Sequence, residues 1–194
     1  MAMHENGASG SDRFLALLKP IERDLETYCR RLIWKPEEAA DAVQNSVLRA
    51  YSAFDRYRED ASFRAWIFKI LTREAFALNR KHARITQHEL QLDPEDLAEL
   101  PAHNAQDNKP GATALSEELN DMLDADLSAG LKTLTDMERA VLLLRSVGEL
   151  RYREIADSLD IPIGSVMGNL ARARQKMRSA LARSARRRSL TQEI

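Results

Sequence analysis

The sequence predicts an all-α protein built as two small helical domains joined by an acidic flexible linker. Three observations predict it. Apolar residues recur at helical spacing through most of the chain. Only 7 of the 194 residues are glycine, and no alternating apolar–polar run is bounded by hairpin turns. The helical pattern then fails once, across "QLDPEDLAELPAHNAQDNKPGA", which carries three prolines, a glycine and many acids. The expected boundaries are a disordered leader at 1–10, a first domain at 11–84, the linker at 85–115, a second domain at 116–184 and a basic tail at 185–194.

Each element has a local reason. In "DRFLALLKPIERDLETYCRRLI", Phe14, Leu17, Leu18, Ile21, Leu25, Tyr28 and Leu32 fall on one stripe, and Pro20 should kink or restart the helix. In "KPEEAADAVQNSVLRAYSAFDRY", Pro36 suits a first helical position, and Glu37 and Glu38 suit the positive end of the helix dipole. Val43, Val47, Ala50 and Phe54 make its core stripe. Asp41, Gln44, Leu48 and Asp55 line up outside, an acid–amide–leucine strip of the kind that docks a partner or simply meets solvent.

A third helix follows at "SFRAWIFKILTREAFALNRKHAR", capped by Ser62. Phe63, Ile67, Ile70, Leu71 and Leu78 form its inner stripe. Phe68, Lys69, Thr72, Arg73, Phe76 and Arg80 fall on an outer arc. Rings among cations suit unpaired bases and phosphates. The other reading packs Trp66, Phe68 and Phe76 against the first helix.

In the second domain, Thr135 and Glu138 form a capping box at "TDMERAVLLLRSV". "RYREIADSLD" and "GSVMGNLARARQKMRSALARSA" then read as two helices meeting steeply across the short "DIPIG", a helix-turn-helix. On the second of them Val166, Leu170, Ala173, Met177 and Leu181 face inward, onto Ile155, Ala156 and Leu159. Gly168, Ala171, Arg172, Gln175 and Ser179 face outward, flanked by Met167 and Asn169.

Charge supports a polyanion partner only locally. The net charge is −1, yet from Ile85 to Asp126 Lys109 is the lone lysine or arginine, and from Arg139 to Arg188 arginine dominates. No nucleophile–base pair, metal-ligand spacing or phosphate loop appears, so no enzymatic activity, metal or cofactor is expected. The single cysteine, Cys29, sits on an amphipathic helix and reads as a buried, inert thiol. With no apolar run long enough to span a bilayer, the expectation is a cytoplasmic protein without membrane insertion.

Taken in order, "DAVQNSVLRAYSAFDRY", "YREDASFRAWIFKI" and "LTDMERAVLLLRSVGELRYREIADSLDIPIGSVMGNLARARQKM" resemble a bacterial RNA polymerase sigma factor of the extracytoplasmic-function (ECF) group, sigma-70 family. The resemblance covers about residues 11–84, as region 2, and 116–184, as region 4. It implies promoter-specific transcription initiation with no catalysis by the chain itself. The implied partners are core RNA polymerase, through its β′ and β subunits, promoter DNA and an anti-sigma factor.

The resemblance also implies site residues. Asp41, Gln44, Asn45 and Leu48 would meet the polymerase. Arg58, Asp60, Ala61 and Ser62 would capture a flipped −10 base, braced by Phe63 and Trp66, with Lys69, Arg73 and Arg80 on the −10 DNA. Ser165, Met167, Gly168, Asn169, Arg172 and Arg174 would meet the −35 element.

The chain departs from the family pattern at Ala40 and Asn45, where acids are common, at Glu59 and Arg73, and most of all at Met167-Gly168-Asn169, where cations are frequent. Gly168 costs about 1 kcal/mol of helix stability relative to Ala. The expectation is a changed −35 preference, with Met167 touching a thymine methyl and Asn169 pairing with adenine. Two alternatives stay open from sequence. One is a sigma-like decoy that sequesters an anti-sigma factor, and the other is an ordinary helix-turn-helix repressor.

Overall fold

The computed structural model describes residues 10–58, 62–89 and 114–191, and among them eight α-helices and no strand. The first half holds α1 (Gly10–Leu18), α2 (Glu22–Leu32), α3 (Ala39–Ser52) and α4 (Phe63–Glu89). The second holds α5 (Ala114–Lys132), α6 (Asp136–Ser146), α7 (Tyr152–Leu159) and α8 (Ile163–Thr191). Pro20 restarts the first helix as expected: a 3-10 turn at Lys19–Ile21 separates α1 from α2. Residues 1–9 of the expected leader and 90–113 of the expected linker lie outside the described residues.

Four helix ends cross the expected boundaries, α1 by one residue at Gly10 and α5 by two at Ala114. Helix α4 runs to Glu89, five residues into the segment assigned to the linker, because nothing before Pro94 breaks a helix. Helix α8 runs to Thr191 through the expected basic tail, where Arg188 pairs with Asp126 of α5.

The core of the first half gathers Phe14, Leu25, Tyr28, Leu32, Ile67 and Leu71, all but inaccessible. Polar groups inside it are satisfied. The Tyr28 hydroxyl donates to Thr72 Oγ1 at 2.7 Å, and Thr72 Oγ1 donates to the Phe68 carbonyl at 2.7 Å. Buried Asn79 accepts from the Trp34 amide at 3.0 Å and donates to the Leu32 carbonyl at 3.3 Å, which closes the end of α2. Cys29 is buried as expected. Burial first, then the Glu74 carboxylate, pushes its thiol up to about 12, so the reactive thiolate is suppressed.

The second half is built on local signals. Thr135 and Glu138 form the expected capping box, with Glu138 N donating to Thr135 Oγ1 at 3.2 Å and Thr135 N to Glu138 Oε2 at 3.0 Å. The turn after α6 needs its glycine: a Cβ on Gly148 would stand 2.7 Å from the Leu144 carbonyl oxygen. Asp160 ends α7 at φ 54°, a left-handed position that Asp tolerates, and Ile161 N returns to the Ala156 carbonyl at 3.1 Å. That turn sends the chain into α8, whose Val166, Leu170, Ala173 and Met177 are buried.

The halves touch. Helix α2 packs on α6 and α4 packs on α7, so the two cores form one continuous apolar cluster. Within the first half, the packing of α2 on α4 explains a correction. Phe68 and Thr72, expected on the outer arc of α4, are buried, with Phe68 edge-on to Tyr28 at 5.2 Å between centroids. The reading that packs Phe68 against the first helical stretch is the one the fold adopts. Helix α4 is covered on one side by α2 and α3 and on another by α7, so it has no single buried stripe.

Candidate nucleic-acid interface

Three surfaces carry the residues singled out from sequence. On α3, Asp41, Gln44, Asn45 and Leu48 are all exposed, Leu48 at 57%. The strip is real because Ala39, Ala42, Val43, Ser46 and Ala50 take the buried face instead. Leu15 and Tyr51 are also exposed apolar side chains, and Tyr51 joins α3 to α1 through an edge contact with Phe14 at 5.3 Å. Sequence reading missed both. Leu15 follows a core phenylalanine, and Tyr51 sits one position past the core stripe.

At the start of α4, Asp60 and Ala61 lie outside the described residues, while Arg58 is exposed just before them. Ser62 caps the helix as expected, its Oγ accepting from Ala65 N at 3.2 Å. Beneath this end stands an aromatic cluster. Trp66 lies 5.3 Å from Tyr57 and 5.7 Å from Phe63, and Phe54 stacks on Tyr57 at 5.7 Å with planes 8° apart. Phe63 is buried and Trp66 half-buried, which suits a brace for the segment before them.

Farther along α4 the cations are engaged. Lys69 Nζ donates to the Asp157 carbonyl at 2.5 Å and lies 3.4 Å from Asp160 Oδ1. Arg73 Nη2 reaches Asp160 Oδ2 at 3.0 Å. The Arg73 hydrogen bond first, then Lys69, holds the Asp160 carboxyl below its ordinary value. Arg64 does more than the sequence suggested. It donates to the Gly148 and Val147 carbonyls at 2.6 and 2.9 Å, closing the end of α6, and pairs with Asp24 at 2.6 Å. Arg80 is exposed farther along the helix.

On α8, Ser165, Met167 and Arg172 are exposed, Met167 at 49%, while Gly168 and Asn169 are half-covered. Arg174 is exposed elsewhere. It lines an apolar groove of about 550 Å³ between α2 and α5, α6 and α8, together with Arg31 and Arg178. The structure therefore brings Arg172 together with the front of α8 and sets Arg174 apart from it. Sequence reading also missed Glu138 as a site residue. It is 3% exposed, yet Lys176 Nζ reaches its Oε2 at 2.6 Å and Arg172 Nε lies 3.4 Å from its Oε1.

The family model for sigma-70 region 2 matches residues 17–85, and that for sigma-70 region 4 matches residues 125–177. The chain belongs to the sigma-70 family, in its ECF group. It is 30% identical over 153 residues to the ECF RNA polymerase sigma factor SigE of Mycolicibacterium smegmatis, covering 79% of this chain and 55% of that relative. The chain thus spans about half the length of that protein.

Two solved structures share the fold. The sigma factor RpoE of Bartonella quintana, solved with the anti-sigma factor NepR, has a TM-score of 0.67 at 24% identity, covering 88% of this chain and 97% of that one. CnrH, solved with the cytosolic domain of CnrY, has a TM-score of 0.61 at 22% identity over 89% of each chain. The region 2 match runs from the end of α1 into α4, and the region 4 match from within α5 into α8, taking in the α7–turn–α8 pair. Among the described residues no helix is long and apolar enough to cross a membrane.

Proposed function

We propose that this chain is an alternative sigma factor that binds core RNA polymerase and directs it to a small set of promoters by their −10 and −35 elements. The observation that carries the reading is the pairing, on one short chain, of region 2 with a region 4 whose last helix, α8, leaves Ser165, Met167 and Arg172 open to a groove. The α3 strip of Asp41, Gln44, Asn45 and Leu48 docks on the β′ subunit, and region 4 contributes contacts to β. Arg58, Asp60, Ala61 and Ser62 take a flipped −10 base over the Phe63–Trp66 brace, with Lys69, Arg73 and Arg80 along the strand. Unstacking that base costs a few kcal/mol, so a preformed seat is needed.

Opening a promoter in this way uses binding energy and no covalent step, so the chain acts without a cofactor, in the cytoplasm with its polymerase. The likeness to RpoE, solved with an anti-sigma factor, supports an anti-sigma partner here too.

The test is reconstitution of core polymerase with the purified chain on a library of genomic templates, followed by mapping of transcript starts. The reading predicts starts at a few sites that share upstream elements. Binding to an anti-sigma protein without any promoter-specific start would favour the decoy. Duplex binding that needs no polymerase, without initiation, would favour a repressor.

A further inference from the structure

The front of α8 contains no cation: Arg172 is the first lysine or arginine after Ile163. Its guanidinium nevertheless lies at that front. A Cβ built on Gly168 would stand 3.4 Å from Arg172 Nη1 and 4.0 Å from Nη2, so the side chain folds back one turn over the bare glycine. There Nη2 donates to Asn169 Oδ1 at 3.0 Å. The amide is itself fixed, because Asn169 Nδ2 donates to the Ser165 carbonyl at 2.8 Å. From the other side Arg172 Nε lies 3.4 Å from Glu138 Oε1, and Glu138 is locked by its capping box and by Lys176.

We infer that Asn169 and Glu138 are positioning residues that seat Arg172 as the base-reading cation of the −35 helix, with guanine as its target. The inference rests on the proposed −35 reading and names its chemistry. Three features carry it. The guanidinium lies over Gly168, where an added Cβ would meet Nη1 and Nη2 at ordinary van der Waals distance. Asn169 has both ends of its amide engaged within the helix, its Nδ2 on the Ser165 carbonyl and its Oδ1 on Arg172, which fixes it as the holder of the guanidinium. Arg172 donates one Nη2 hydrogen to Asn169 and turns Nε toward Glu138, which leaves both Nη1 hydrogens and the second Nη2 hydrogen. That Nη1–Nη2 edge is the fork that matches guanine O6 and N7. With the side chain 59% exposed, the edge is accessible. Lys176 already holds Glu138 at 2.6 Å, so a simple charge partner for that acid was not lacking.

The test uses holoenzyme made from core polymerase and each full-length variant, on templates with a fixed −10 element and a randomised −35 element. Wild type should prefer guanine at one −35 position by about tenfold or more. Arg172→Lys, which keeps the charge but not the fork, should flatten that preference. Asn169→Ala should flatten it too, while leaving the other −35 positions and the unfolding temperature unchanged. An Asn169→Ala or Arg172→Lys enzyme with the wild-type guanine preference would overturn the inference. A wild type that selects no −35 sequence at all would instead overturn the sigma reading on which it rests.

Discussion

Glu138 is the residue whose environment matters most in region 4, because it serves as helix cap and charge partner at once. Burial alone would raise its carboxyl, but the hydrogen bond from Lys176, the Thr135 amide and the Lys176 charge together hold it below its ordinary value of 4.5. A folded value below the unfolded one means stability that is fully present above the ordinary value and is lost as pH falls through the depressed value. Glu138→Gln should therefore lower the unfolding temperature by several degrees at pH 7, and the gap to wild type should close as the pH falls below the ordinary value of 4.5 and through the depressed one. Calorimetry across that range checks it, and a gap independent of pH would contradict the assigned charge. In region 2 the comparable residue is Phe63, buried against Phe14, Phe54, Tyr57 and Trp66. Phe63→Ala should cost about 3–5 kcal/mol in a urea titration.

At the scale of the element, α3 and α4 show what sequence patterns reveal and what they hide. Helix α3 has one buried face, so its outer strip was legible: Asp41, Gln44 and Leu48 are exposed as the wheel requires. Asp41→Ala with Gln44→Ala should leave helical content unchanged and weaken capture of core polymerase by tenfold or more, since charged and amide contacts at an interface contribute to both rate and specificity. Unchanged capture would remove α3 from the docking surface. Helix α4 has two covered sides, and a wheel assumes one. Phe68 and Thr72 therefore looked like outer residues although α2 buries them. Caps and turns were legible because they are local, as Ser62, Thr135 with Glu138, and Pro20 show. The seat of Arg172 was not, because it depends on Glu138, 34 positions earlier.

At the scale of the whole molecule, the contact between the halves bears directly on function. Lys69 and Arg73, proposed to follow the −10 strand, are held by Asp160 and the Asp157 carbonyl in the helix-turn-helix turn. A phosphate there would compete with that turn for the same two cations, so promoter binding in the proposed manner favours regions 2 and 4 parting. Solvent-exposed ion pairs of this kind are individually weak and screened by salt. A fluorescent pair placed on the two regions should therefore report wider separation for Asp160→Asn, for higher ionic strength, and on addition of core polymerase. A separation unmoved by polymerase would mean that this face of α4 does not meet DNA.

The central claim is that one chain reads two promoter elements on behalf of polymerase. It is tested most directly by single-round transcription with reconstituted holoenzyme on three versions of a mapped promoter: intact, with the −10 element scrambled, and with the −35 element scrambled. The account predicts initiation from the intact promoter only, with loss of at least tenfold on scrambling either element. Equal transcription from all three templates, or none from the intact one, would contradict it.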